Sequence, residues 1–324
     1  MKAMPRRWLT AILFGFALSG LLTLFAGRTH AAQPPQQLVL LDTDIGDDID
    51  DAFALALIER SPDLRLLGVT TAFGDTHLRA RLVRRFLDAT GFASVPVAAG
   101  VPTTPKTTFT QAAYANSSGT AHISSLSGPD FLLDQIRRHP GQITLLAIGP
   151  ETNLAAAIDK DPATFRTLKR IVIMGGSVDR GYDGHTHADP EWNILCDIPA
   201  AQKVFTSGVP IALMPLDSTI LKFPPDQLQE LFSHRTPLIG QLHELETEWS
   251  KNSPYAGPTL APTLFDPMTV TYAVRPDLCP TTPLHLVIDD KGFTRRTAGT
   301  PNVGACLKSD PGAFFHFYLS RVSR

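Results

Sequence analysis

Six aspartates, Asp42, Asp44, Asp47, Asp48, Asp50 and Asp51, fall within ten residues that contain no Lys or Arg. On a solvated loop such a run is ordinary surface charge. Here it lies between an apolar run at 38–41 and a second apolar stretch carrying Phe53, Leu55, Leu57 and Ile58. Carboxylates crowded between buried segments must take up protons or share a cation. An all-oxygen set with no neighbouring His or Cys favours a hard ion, Ca2+ or Mg2+, over Zn2+. The spacing is not that of an EF-hand, which needs Asp-x-Asp-x-Asp-Gly and a distal Glu.

The elements that must hold these acids are a strand, a turn at Gly46 and a helix. Residues 38–41 read as a central strand buried on both faces, and the stretch after Asp51 as a helix largely covered by protein. The acids therefore sit at the carboxyl end of a parallel strand, where open α/β sheets bind ligands. Asp50 and Asp51 fall at the helix N-terminus, whose free N–H groups favour one or two anions but not the whole set. Further strands are predicted at 64–70, 95–98, 143–148, 170–174, 210–214 and 284–288. Helices are predicted at 77–90, 129–138, 151–158, 199–206, 224–251 with a break near Pro237, and 266–274; residues 314–322 read as a helix or a strand. Such alternation implies an α/β single domain, with a largely parallel central sheet and helices on both faces. Residues 100–128 lack periodicity and form an elaborate loop or a lid.

The chain has 324 residues and a formal net charge of −2, with Lys and Arg dispersed. No nucleic-acid surface is expected, and the partner is a small molecule. Lys2, Arg6 and Arg7 precede an apolar run at 8–26, followed by Thr29-His30-Ala31. This is the pattern of a signal peptide over 1–31, leaving 32–324 as one domain, periplasmic or secreted, with no stable membrane association after cleavage. The alternative is an uncleaved anchor. Cys279 and Cys306 could pair in an exported protein, leaving Cys196 odd, or all three thiols stay reduced. Homo-oligomerisation is left open.

The stretch DTDIGDDIDDAFAL resembles the N-terminal signature of the inosine-uridine preferring nucleoside hydrolases, Asp-x-Asp-Pro-Gly-x-Asp-Asp-Ala, with two extra residues after Gly46. Four further segments carry the resemblance, in order: Thr70-Thr71-Ala72-Phe73-Gly74-Asp75; Gly149-Pro150-Glu151-Thr152-Asn153-Leu154; Met174-Gly175-Gly176 followed by Glu191-Trp192-Asn193-Ile194; and Phe265-Asp266-Pro267. The resemblance implies a nucleoside hydrolase-like fold and hydrolysis of the N-glycosidic bond of ribonucleosides or related N-ribosides, in nucleoside salvage, with Ca2+ as cofactor. It makes Asp44 both the catalytic base and a metal ligand, with Asp51, Thr152 through its carbonyl, and Asp266 as further ligands and Asp42 in support. It assigns Asp50, Asp75, Met174, Glu191 and Asn193 to the substrate. Asp75 stands where the family has Asn, and it can also be read as the cap of the helix that follows.

Phe265 stands where the inosine-uridine branch has a His that helps to protonate the departing base. His122, His77 and Tyr255, or stacking on Trp249 or Trp192, are candidates to replace it. His185 falls where the family has another substrate-binding Asn, and His185 and His187 would have to converge from a loop to bind a metal. Two other readings stay open: a Mg2+-dependent phosphohydrolase of haloacid dehalogenase type, since Asp42-Thr43-Asp44 follows a strand, and a non-catalytic periplasmic riboside-binding protein.

Overall fold

In β1 (Gln37–Thr43), Val39 and Leu41 enter one buried apolar cluster and Leu40 the other. This two-residue period marks a strand covered on both faces. The computed structural model describes Met1 and residues 36–117, 122–254 and 261–324. The expected signal peptide, apart from Met1, and Tyr255 lie outside the described residues. β1 pairs in parallel with β2 (Leu64–Thr71), which pairs with β3 (Val97–Ala99). On its other side β1 pairs with β4 (Ile143–Ala147), followed by β5 (Arg170–Met174) and β6 (Ile211–Met214), all parallel. The chain then makes the edge strand β7 (Thr281–Leu284), a separate hairpin of β8 (Leu286–Ile288) and β9 (Thr294–Arg296), and finally β10 (Val303–Cys306), which inserts between β6 and β7. Only β7 runs antiparallel in the main sheet. The order β3-β2-β1-β4-β5-β6-β10-β7 reverses direction between β1 and β4, so the crevice of a doubly wound sheet opens at their carboxyl ends.

The single strand expected at 284–288 is instead divided between β7 and β8, which belong to different sheets. The alternation of Leu284, Leu286 and Ile288 hides a change of partner that only the return of β10 creates. Residues 311–322 form a helix, Pro311–Val322, capped by Asp310. Cys279 and Cys306 are joined in a disulfide, which ties β10 to the segment after the helix Pro267–Val274; Cys196 is free.

The helix Asp50–Glu59 is buried from Asp50 to Ile58. The helices Pro237–Asn252, Pro267–Val274 and Pro311–Val322 pack against it, and Pro267–Val274 also lies on β4 and β5. The Tyr318 hydroxyl donates to the Phe53 carbonyl at 3.1 Å, and the Phe223 ring packs against Phe53 at 5.8 Å. The segment 100–128 is anchored at its centre. Its short helix, Ala112–Asn116, lies against the helices Thr76–Thr90 and Pro237–Asn252; Tyr114 donates its hydroxyl to Gln241 and lies beneath the Arg85 guanidinium. Among the described residues no helix is long and apolar enough to cross a membrane.

Candidate active site

The acidic loop leaves β1 at its carboxyl end and meets the first turn of Pro267–Val274. Asp50, Asp51 and Asp266 each offer a carboxylate oxygen within 4.8 Å of the others, and all three are buried. The backbone N–H of Asp266 donates to Asp50 Oδ2 at 3.2 Å, and the Thr43 hydroxyl donates to Asp51. Burial first, and the charges of neighbouring aspartates second, hold all three well above the usual carboxylate range: Asp48 and Asp44 act on Asp50, Asp44 and Asp50 on Asp51, and Asp50 and Asp51 on Asp266. The charges acting on Asp266 are those of Asp50, Asp51, Asp44 and Asp48, all negative. A pocket of hard oxygen donors with so little compensating charge fits a divalent cation of the Ca2+ or Mg2+ type.

Asp44 is not in the three-oxygen group, but its charge acts on each of its members. Burial pushes it up to about 7, with Arg79 pulling it down and Asp47 and Glu191 pushing it further up. The β4 loop comes close to it: a Cβ at Gly149 would lie 2.8 Å from the Asp44 nitrogen and 2.9 Å from its Oδ1. Asp42 is sealed. It is 0% exposed, and its Oδ1 accepts from the Thr70 hydroxyl and from Asn153 Nδ2. A nucleophile must reach its substrate, so the haloacid dehalogenase reading of Asp42 does not hold.

The two extra residues, Asp47 and Asp48, are held from outside. Thr110 donates its hydroxyl to the Asp47 carbonyl at 2.8 Å, and Gln111 donates Nε2 to the Asp48 carbonyl at 2.6 Å. Gly46 has φ +127°, and a Cβ there would strike the Phe109 ring, so the turn requires glycine. Asp48 keeps solvent access at the mouth, where the Trp249 side chain hydrogen-bonds its carboxylate.

On the β5 side, Glu191 caps the helix Trp192–Cys196 and also accepts from Gly176 N at 2.9 Å. Asn193 Nδ2 donates to the carbonyls of Ile148 and Met174, both at 3.2 Å, so the ends of β4 and β5 fix its amide. Met174, Glu191 and Asn193 are all buried and adjoin one another. Burial pushes Glu191 up to about 7 against the pull of its backbone N–H partners. The Thr152 hydroxyl is committed to Asp197, donating to its Oδ2 at 2.7 Å. Asp75 is exposed and accepts from Leu78 N at 2.9 Å, the helix cap that its position allowed. His77 and His122 are both exposed. Phe265 packs edge-on against Tyr182 with ring centroids 6.5 Å apart, giving an apolar wall beside Asp266.

Two residues escaped the reading of the sequence. Arg79 is 2% exposed and braces the loop: Nε donates to the Phe73 carbonyl, Nη1 to the Asp44 and Ile45 carbonyls, and Nη2 to Asp47. It lay unmarked within an Arg-rich helix. Phe73 takes positive φ, 64°, where it meets this guanidinium, and such strain in a non-glycine residue is typical of functional sites. Glu151 is wholly buried, and neither of its carboxylate oxygens has a hydrogen-bond partner. The sequence signal was present, a charged residue where the resembling family carries Leu.

The comparisons with known proteins match this geometry. The model of the inosine-uridine preferring nucleoside hydrolases matches residues 39–316. Uridine nucleosidase 1 of Arabidopsis thaliana is 33% identical over 257 residues, which is 74% of this chain and 74% of that protein. The non-specific ribonucleoside hydrolase RihC of Escherichia coli is 32% identical over 284 residues, 83% of this chain and 89% of that one. Among solved structures, the plant nucleoside hydrolase PpNRh1 superposes with a TM-score of 0.78 at 25% identity, covering 89% of this chain and 99% of its own. A purine-preferring ribonucleoside hydrolase from Gardnerella vaginalis shares the fold with a TM-score of 0.77. An acidic crevice at the switch point of the sheet, in a chain that the family model matches over residues 39–316, leaves one conclusion: the chain belongs to the inosine-uridine preferring nucleoside hydrolase family, enzymes that cleave the N-glycosidic bond of ribonucleosides.

Proposed function

We propose that the chain is an exported, calcium-dependent hydrolase of ribonucleosides or related N-ribosides that releases ribose and base for salvage. The observation that carries this reading is the convergence of Asp50, Asp51 and Asp266 within 4.8 Å, with Asp44 acting on all three and itself within reach of the Glu191 charge. Asp51, Asp266, Asp44 and the Thr152 carbonyl are the residues that would hold the ion. When bound, Ca2+ supplies positive charge that acidifies and orients water and gathers the ribose hydroxyls.

Asp44 takes the proton from the attacking water. Its support is its position: a buried carboxyl whose charge reaches Asp50, Asp51 and Asp266 alike, beside the oxygens that would hold the ion. Asp50 accepts hydrogen bonds from ribose hydroxyls, while Glu191 and Asn193 bind the sugar from the opposite wall and Met174 packs beneath it. As the glycosidic bond lengthens, positive charge develops on the ribose. The surrounding carboxylates are placed to stabilise it without reorganising. Asp75 is engaged as a helix cap and contributes least to this reading.

Export is supported by the basic N-terminus with its apolar run and by the Cys279–Cys306 disulfide, a bond that persists in oxidising compartments. The test is a panel of purine and pyrimidine ribonucleosides plus nitrophenyl riboside, assayed for ribose release with Ca2+ and with chelator. Turnover that stops on chelation and returns with Ca2+ is expected. Equal rates with chelator would remove calcium from the reading.

A further inference from the structure

The segment between β5 and Glu191 gathers His185, His187 and Asp189, with one ligand atom of each within 4.8 Å of the others. Read from sequence, the two histidines had to converge from a loop, and they do: their rings stack with centroids 3.7 Å apart and planes 4° apart. His185 Nε2 lies 3.3 Å from Asp189 Oδ2, and His187 Nε2 lies 3.9 Å from Asp189 Oδ1. Ligands of one tetrahedral ion with bonds of about 2.1 Å stand roughly 3.4 Å apart. Parallel rings hold their lone pairs in parallel planes, so sharing one ion requires the two side chains to turn out of their stack toward Asp189, which their exposure permits.

The chemistry points the same way. His185 Nδ1 faces the His187 carbonyl at 3.3 Å. With the ring proton on Nδ1, Nε2 presents a lone pair to a carboxylate oxygen, an arrangement made attractive by a cation between them. A metal ion would join the two imidazole nitrogens to the Asp189 carboxylate.

The cluster is also supported from behind. Asp189 Oδ2 accepts from Tyr182 N at 2.9 Å, and Asp189 N donates to Ser177 Oγ at 2.9 Å. A Cβ at Gly181 would lie 2.2 Å from both Asp189 Oδ2 and His185 Cε1, so the close approach depends on glycine. The side chains of His185 and His187 are 38% and 71% exposed, leaving open positions for water.

We propose that His185, His187 and Asp189 form a second metal site, separate from the acidic pocket, for a borderline divalent ion such as Zn2+, Ni2+ or Cu2+. Two imidazole nitrogens and one carboxylate select such ions, whereas the all-oxygen pocket selects hard ones. The site braces the segment leading to the sugar-binding wall: the Tyr182 hydroxyl accepts from Trp192 N at 2.9 Å, and the Tyr182 ring meets Phe265.

The experiment is Zn2+ calorimetry on the full chain, free of any affinity tag, with the acidic pocket saturated by Ca2+. One equivalent of Zn2+ is expected to bind, and His187→Ala weakens it by about tenfold or more while hydrolysis in Ca2+ is retained. Cu2+ is expected to give an electron paramagnetic resonance spectrum with nitrogen hyperfine structure, lost in the His185→Gln/His187→Ala double variant. No Zn2+ binding in Ca2+, equal affinity in His187→Ala, or an all-oxygen Cu2+ spectrum would overturn the assignment. These readouts do not involve nucleoside turnover, so their failure is distinct from failure of the hydrolase reading.

Discussion

Asp266 and Asp50 stand 216 positions apart in the chain, yet the backbone N–H of Asp266 donates to Asp50 Oδ2 at 3.2 Å. The bond sets the first turn of the helix Pro267–Val274 onto the first turn of Asp50–Glu59 and closes the ring of carboxylates. Asp266→Asn removes one negative charge from this ring. The variant is expected to be more stable than the wild type without cation and to bind Ca2+ about 100-fold or more less tightly, since loss of outer partners alone costs 10- to 100-fold. Thermal unfolding with and without Ca2+ measures both effects. A wild-type calcium shift in the variant would place the ion elsewhere.

Asp44→Asn keeps the shape of the side chain and loses its basicity. Ribose release is expected to fall by about 10³-fold or more. Rates within a factor of about two of wild type would take Asp44 out of the base role.

Stability should depend on pH in a direction opposite to ordinary acid denaturation. Asp42, Asp44 and Glu191 are all pushed up to about 7 in the folded chain, from ordinary values of 3.8 for the aspartates and 4.5 for Glu191. Between those values the folded state holds more protons than the unfolded one, so stability falls as pH rises through about 7. Chelated protein is expected to melt at a lower temperature at about pH 8 than at about pH 5.5, and added Ca2+ to raise the melting temperature more at the higher pH. Calorimetric scans across that range are the check; a melting temperature that rises with pH in chelator would contradict the burial of these groups.

Arg79 donates to three backbone carbonyls and to Asp47 from a nearly inaccessible position. Arg79→Met leaves Asp47 and those carbonyls without their partner and is expected to cost about 3–5 kcal/mol in denaturant unfolding. Arg79→Lys should recover little, because one ammonium cannot span the fork. Full recovery by Lys would mean that charge alone matters.

Phe265 offers no proton to a departing base. Phe265→His is expected to raise turnover of inosine relative to nitrophenyl riboside by about 10- to 100-fold, since only the unactivated base needs protonation. An unchanged ratio would indicate that another acid already serves.

The alternation of apolar strands with helices, the acidic turn after β1 and the glycines at Gly46 and Gly149 are local patterns, and the sequence by itself determined them. Periodicity and turn chemistry depend on neighbours a few residues away. The fates of the individual acids were decided by tertiary structure alone. Asp42 is sealed by Thr70 and Asn153, Asp47 is paired with Arg79, Asp75 caps a helix, and Asp50, Asp51 and Asp266 converge. The same holds for the division of 284–288 between two sheets and for the stacking of His185 on His187. These outcomes rest on contacts between distant segments, and a carboxylate or imidazole carries no local mark of which partner it will meet.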